Sequence, residues 1–261
     1  MSTAISPARA EYPVALITGA ADRLGATIAR ALARSGFAVI VHYRTSSAPA
    51  EALVAEIAAA GGAAATVEAD LADRRARASL MTKAGRLFGP VSALVNNASL
   101  FQPDSVTDLD ETLWDAHFAI HAEAPLFLAR DFAAQLPEGV PGAIVNMIDE
   151  RVLHPTPDFL SYTLSKGVLW AATRTLAQSL APRIRVNAIG PGPTLKSTHQ
   201  TEEAFANSVE RLPLKRGATP EEIAQAVLFL LNSPAITGQM LALDGGEHLE
   251  WPERKGPTPR K

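Results

Sequence analysis

Val14-Ala15-Leu16-Ile17-Thr18-Gly19-Ala20-Ala21-Asp22-Arg23-Leu24-Gly25 is the stretch whose reading decides the architecture of this chain. Four apolar residues run into Thr18 and Gly19, and a helical pattern opens directly after the turn at Leu24, Ile28, Ala31 and Leu32. A strand, a glycine-containing turn and a helix N-terminus together aim backbone N–H groups and the positive end of a helix dipole at a phosphate. Gly19 and Gly25 let the backbone approach such a group closely. Arg23 adds a full positive charge where a turn of this kind usually offers a middle glycine. Taken alone, the segment also fits an ordinary strand–helix turn, so the rest of the chain has to decide.

The chain has 261 residues, 47% of them hydrophobic and 20% charged, which suits one large α/β domain with a substantial core. A net charge of −3 gives no electrostatic case for nucleic acid or an anionic membrane. The absence of cysteine excludes disulfides, thiolate catalysis and Cys-ligated metals, and no metal is expected. Residues 1–13 lack the apolar run of a signal peptide, and no stretch reaches the roughly 20 apolar residues of a membrane span. A cytoplasmic location is therefore expected.

Apolar runs alternate with helical patterns along the whole chain. Strands are predicted at Val14–Thr18, Ala38–His42, Ala64–Glu68, Ala93–Asn97, Ala143–Ile148, Ile184–Ile189 and Met240–Leu243. Helices are predicted at Leu24–Ser35, Pro49–Ala60, Arg74–Phe88, Thr112–Gln135, Ser161–Leu180 and Glu221–Leu231. Short strands separated by helices imply parallel pairing through crossovers, hence a doubly wound, seven-stranded parallel sheet with helices on both faces. Ligands then sit beyond the carboxyl ends of the strands. The Pro-, Gly-, Thr- and Ser-rich segment 191–213 reads as a mobile substrate loop at that edge, and the ends, 1–12 and 251–261, are expected to be flexible.

About 20 residues past a dinucleotide-binding turn, a carboxylate would hold a ribose 2′-hydroxyl. This chain has no acid there; it reads His42-Tyr43-Arg44-Thr45-Ser46. A cation among hydroxyls suits a 2′-phosphate, which points to NADP(H), the alternative being a solvated polar turn.

Tyr162 and Lys166 stand four residues apart in a predicted helix, so they share a face. A nearby ammonium favours the ionised tyrosine and is expected to bring its titration towards neutrality, as a general acid needs. Most such pairs are plain surface neighbours. This one follows a predicted strand that ends beside Asp149, at the same edge as the glycine turn.

With these residues in place, the chain resembles the short-chain dehydrogenase/reductase family over nearly its whole length. The matching motifs are Thr18-Gly19…Gly25, Ala69-Asp70-Leu71, Asn96-Asn97-Ala98, Tyr162-x-x-x-Lys166, Asn187…Gly190-Pro191-Gly192 and Asp244-Gly245-Gly246. The resemblance implies a Rossmann domain, Tyr162 as acid, Lys166 on the nicotinamide ribose, Asp70 and Leu71 near the adenine, and a homotetramer. It also implies cofactor contacts from Asn97, Ala98, Ser99, Pro191 and Gly192.

Departures from the family narrow the reading. Asp149 stands where most members carry a serine that donates to a substrate carbonyl. A carboxylate cannot donate and repels a developing oxyanion, so simple ketone reduction is disfavoured. An acceptor there suits a substrate edge bearing N–H groups. Pteridine reductases, and in much of the pattern bacterial dihydromonapterin reductases, are similar in having an arginine in the turn (Arg23), a phenylalanine soon after Asn-Asn-Ala-Ser (Phe101), an aspartate for serine (Asp149) and a His-Tyr start to the phosphate loop (His42, Tyr43). Phe101 reads either as a ring stacking on a flat heterocycle or as a loop-anchoring aromatic. Ser99 is expected to hydrogen-bond substrate or cofactor. His121 is either a proton relay or a satisfied core histidine, and Glu150 either crowds the pocket or turns to solvent. The leading expectation is an NADPH-dependent reductase of a pterin-like heterocycle, with Arg23, Ser99, Phe101, Asp149 and Tyr162 on the substrate. The alternatives are a carbonyl reductase of 3-oxoacyl, sugar or steroid-like ketones, and a non-catalytic NADP(H)-binding sensor.

Overall fold

The computed structural model describes residues 13–198 and 200–249; the expected flexible ends lie outside these residues. Seven strands form one sheet in the order β3-β2-β1-β4-β5-β6-β7. They are β1 (Val14–Ile17), β2 (Ala38–Tyr43), β3 (Ala64–Glu68), β4 (Ala93–Asn96), β5 (Gly142–Met147), β6 (Ile184–Pro191) and β7 (Met240–Leu243), and every neighbouring pair is parallel. The helices between them are α1 (Arg23–Arg34), α2 (Ser47–Ala59), α3 (Arg74–Phe88), α4 (Glu111–Phe118), α5 (Ala124–Gln135), α6 (Leu160–Leu180), α7 (Glu202–Arg211) and α8 (Pro220–Asn232).

Two apolar cores cover the two faces of the sheet, which is why the central strands read as continuous apolar runs. Side chains alternate along β1: Ala15 and Ile17 join Ile28 and Leu32 of α1, Leu53 of α2 and Val227 of α8. Val14 and Leu16 face the other way, onto Leu80 of α3 and Leu128 and Phe132 of α5. The order of strands reverses between β1 and β4, so their carboxyl ends open a crevice there.

Two expectations from sequence are corrected. Thr112–Gln135 is not one regular helix: a π-helical turn, Ala119–Glu123, separates α4 from α5. Segment 191–213 is not loop throughout, because α7 lies inside it. Thr201 caps that helix by accepting the Ala204 N–H at 3.1 Å, Glu202 and Glu203 occupy its first turn and Arg211 its last. Those charges complement the helix dipole. No residue of α7 is buried; only Phe205, Ser208 and Val209 on one face are half-buried, so no long apolar run marks the helix.

Candidate active site

The crevice between β1 and β4 is sewn together by side chains. Thr18 Oγ1 accepts the N–H groups of Asn97 and Ala98 at 2.9 and 3.0 Å, and the Asn97 amide donates to the carbonyls of Thr18 and Gly19, both at 2.9 Å. Gly19 has a φ of +60°, and a Cβ there would lie 2.9 Å from Ala98 Cα. At Gly25 a Cβ would fall inside contact distance of the Gly19 carbonyl and 2.7 Å from Asn97 Nδ2. Only glycine fits either place. The N-terminus of α1 thereby comes against the turn, a cradle suited to a pyrophosphate.

His42 does not point a free donor into this cradle. Its ring is 2% exposed; Nδ1 accepts the Gly19 N–H at 3.0 Å and Nε2 lies 3.0 Å from the Ala69 carbonyl. The carbonyl can only accept, so the proton is on Nε2 and the ring is neutral. Burial pushes its pKa down to about 4, against the opposing pull of the Ala69 carbonyl and Asp70. His42 and Asn97, expected to touch a cofactor, both line the cleft; His42 spends both ring nitrogens, and Asn97 its Nδ2, on shaping the turn. Asp70 accepts the Ala72 N–H at 2.9 Å, and its neighbours Ala69 and Leu71 line the cleft. Tyr43, Arg44, Thr45 and Ser46 lie at the cleft's far end beyond β2, Arg44, Thr45 and Ser46 of them exposed.

Tyr162 and Lys166, in the first turns of α6, lie at the near end. The Tyr162 hydroxyl donates to Asp149 Oδ2 at 2.8 Å, and Lys166 Nζ donates to the Met147 carbonyl at 2.8 Å. Burial, then the Asp149 carboxylate, pushes the Tyr162 pKa well up. Burial draws Lys166 down to about 8. The expectation that Lys166 lowers the tyrosine is therefore corrected: Asp149 accepts the phenolic hydrogen bond, and burial and the Asp149 carboxylate outweigh the opposing pull of Arg151 and Ser99. Tyr162 stays a phenol at neutral pH.

Its ring is fixed edge-on by Phe101, His117 and His121, with centroids at 4.8, 5.9 and 5.2 Å. His121, in the π turn, accepts the Leu100 N–H on Nε2 at 3.1 Å, so its proton is on Nδ1 and goes to Ser165 Oγ at 2.9 Å. Ser99 Oγ lies 3.0 Å from the same Nε2. Burial, then Lys166, holds this imidazole neutral. With both nitrogens engaged, His121 is a satisfied core histidine that orients Ser99 and the turn after β4. Asp104, also buried, accepts the Ser161 N–H at 3.1 and 3.2 Å and so caps the start of α6.

Glu150 lines the cleft and does not turn to solvent. It is buried against the C-terminal turn, and burial, then Glu247 and Asp149, pushes its pKa up to about 8. Phe101 stacks on Phe159 at 4.3 Å and 10°, so one of its faces is already taken. Arg151 lies beside both rings, its guanidinium 5.5 and 5.2 Å from their centroids. Neither Phe159 nor Arg151 was singled out from sequence. The available signal was their closeness to Asp149 and Tyr162 in the chain. Arg23 has a positive φ of 52° and donates through Nη2 to the Lys196 carbonyl at 2.8 Å, tying the glycine turn to the segment after β6.

The cleft encloses about 790 Å³ and is lined by every residue proposed from sequence for cofactor or substrate except Asp70, including Leu24, Ala98, Ser99, Pro191 and Gly192. No cluster of metal-ligating side chains occurs among the described residues.

A sequence profile described as Enoyl-(Acyl carrier protein) reductase matches residues 19–248. The chain belongs to the short-chain dehydrogenase/reductase family, an α/β oxidoreductase family of Rossmann-like fold. It is similar to the crystal structure of FolM Alternative dihydrofolate reductase 1 from Brucella suis in complex with NADP, with 49% identity and a TM-score of 0.90, over 94% of this chain and 98% of that one. Pteridine reductase 1 of Leishmania tarentolae is 33% identical, over 91% of this chain and 96% of its own length. A 3-oxoacyl-[acyl-carrier-protein] reductase of Synechocystis is also 33% identical, over 89% and 96%.

The neutral His42 makes stability depend on acid. The native ring, at about 4, resists protonation that the unfolded chain accepts at about 6.5, so stability falls as pH drops from 6.5 to 4, by about 3 kcal/mol from this group. Urea unfolding across that range will show a steeper pH slope in the parent than in His42→Asn. Equal slopes would sink this account.

Proposed function

We propose that this oxidoreductase uses NADPH to reduce a pterin-like heterocycle at a C=N bond. The observation that carries the proposal is the Asp149–Tyr162 pair. A hydrogen bond of 2.8 Å holds a carboxylate acceptor beside a phenol donor, and no hydroxyl donor stands at position 149 for a ketone. A dihydropterin carries both N–H groups, which a carboxylate can accept, and an imine nitrogen, which a phenol can protonate. The names of two relatives, an alternative dihydrofolate reductase and a pteridine reductase, support the same reading.

The residues present fit the dinucleotide. The glycine turn and the α1 N-terminus would take the pyrophosphate with Arg23. Arg44, Thr45 and Ser46 would take the 2′-phosphate, and Lys166, with one of its three N–H groups on Met147, would take the ribose. Leu71, Ala98, Pro191 and Gly192 would complete the walls. NADPH, when bound, supplies the hydride. Tyr162 delivers the proton to the ring nitrogen next to the reduced carbon, and Lys166 stabilises the phenolate left behind until it regains a proton from solvent. Asp149 accepts a substrate N–H, Ser99 adds a hydroxyl, and the free face of Phe101 covers the heterocycle.

Exposed apolar side chains on α5 and α6 (Phe127, Leu164, Val168), and separately Phe229 on α8, support two subunit interfaces and hence a homotetramer. No helix among the described residues is long and apolar enough to cross a membrane, and we place the reaction in the cytoplasm. Light scattering of the purified chain will read four times the 27.6 kDa chain mass; a monomer would refute the assembly.

NADPH oxidation will be measured with a dihydropterin and with a 3-oxoacyl thioester. The parent reduces the dihydropterin at the higher kcat/KM. Asp149→Ser lowers that rate about 10- to 100-fold while sparing or raising ketone reduction, because a charge-assisted contact is exchanged for a hydroxyl. A variant as fast as the parent on dihydropterin would favour the carbonyl reading that the Synechocystis relative's name supports. Arg44→Ala will weaken NADPH about 10- to 100-fold and NADH much less. Equal losses in a fluorescence titration would move the 2′-phosphate site elsewhere.

A further inference from the structure

We infer that Arg151 anchors an anionic substituent of the substrate, so that the cleft selects heterocycles carrying a carboxylate tail. This rests on the pterin reading. Arg151 lines the cleft on the same wall as Asp149 and Phe101. Its one ion pair among the described residues, Nη1 to Asp149 Oδ1, is 3.7 Å long, beyond hydrogen-bond reach. Asp149 is already committed: Oδ2 accepts the Tyr162 hydroxyl, and Oδ1 accepts the backbone N–H of Arg151 at 3.0 Å. The Nε of Arg151 is buried with no partner. A guanidinium carries five donors in a planar fork that matches a carboxylate, and here they are left over.

The side chain is also preorganised. The guanidinium rests beside the stacked Phe101–Phe159 pair, 5.5 and 5.2 Å from the two centroids, which limits the entropy lost when an anion docks. Other cationic groups of the cleft are engaged or remote. Arg23 donates to the Lys196 carbonyl, Lys196 pairs with Glu202 at 3.5 Å, Lys166 is buried on Met147, and Arg44 lies at the far end beyond β2. Phe101 touches both Tyr162 and the Arg151–Phe159 group. A ring held over Phe101 against the Tyr162 hydroxyl therefore has Arg151 next to its outer edge, where a substituent would leave the cleft.

Steady-state kinetics at saturating NADPH will compare dihydrofolate, whose tail ends in carboxylates, with 6-hydroxymethyl-dihydropterin, which has the same ring and no charge. In Arg151→Met, whose stem still packs on both rings, the ratio of kcat/KM for dihydrofolate to that for the hydroxymethyl compound falls about 10- to 100-fold, mainly through KM. Arg151→Lys recovers part of it. Equal losses on both substrates would make Arg151 a support for Asp149 and overturn the inference, as would an unchanged ratio. Calorimetric titration of NADP-saturated parent and Arg151→Met with p-aminobenzoylglutamate reads the same subsite without turnover. Binding by the parent that weakens in the variant supports the inference; no binding by the parent, or equal binding, overturns it. If the parent reduces neither dihydropterin, the pterin reading falls, and the titration still decides the role of Arg151.

Discussion

The Asn97 amide, donating at once to the carbonyls of Thr18 and Gly19, is the contact on which the rest of the site depends. Parallel strands end side by side with their carbonyls pointing outward, and nothing in the ladder fixes the turns that follow. Here one side chain from the β4 turn satisfies two carbonyls of the β1 turn, while Thr18 returns its hydroxyl to the amides of Asn97 and Ala98. Each buried bond of this kind contributes about 1 kcal/mol net, and leaving its partner unsatisfied costs more. The glycine turn after β1 and the turn that carries Ser99 and Phe101 are thus one rigid piece.

Burial keeps several titratable groups around this piece neutral, each for a local reason. His42 and His121 each have a backbone N–H aimed at one ring nitrogen, which requires a lone pair there. Glu150 faces Glu247 and Asp149 away from water. Tyr162 keeps its proton and donates a hydrogen bond through it to Asp149. The environment so separates two adjacent carboxyls, Asp149 as an acceptor on the phenol and Glu150 as a buried acid, a division that sequence adjacency conceals.

Most of the fold was legible in the sequence because a doubly wound sheet has strong local signatures. The apolar runs of β1, β2 and β4, the switch to helical period after each, and the glycines at 19 and 25 all follow from burial on two faces. Boundaries moved by one or two residues at about half of the strand and helix ends, and β3, β7 and α3 kept theirs. What stayed hidden depends on partners far apart in the chain. The π turn gives no periodic signal over five residues, and α7, with no buried face, was masked by the prolines and glycines around it. At the site, Tyr162 and Lys166 could be chosen by spacing, and Asp149 through the family resemblance. That His42 would serve the backbone and that Phe159 would lie on Phe101 required knowing which atoms meet.

The cap on α6 comes from a distant part of the chain. Phe159, the residue before this helix, has a left-handed backbone and provides no side-chain cap; the N–H of Ser161 is taken instead by Asp104, 57 residues earlier. The helix that bears Tyr162 and Lys166 consequently has no local start signal. Its first turn is held instead by a contact of high sequence separation, supplied by the connection beyond β4. The position of Tyr162 in the cleft is thereby tied to the loop at Asp104, far from it in the chain.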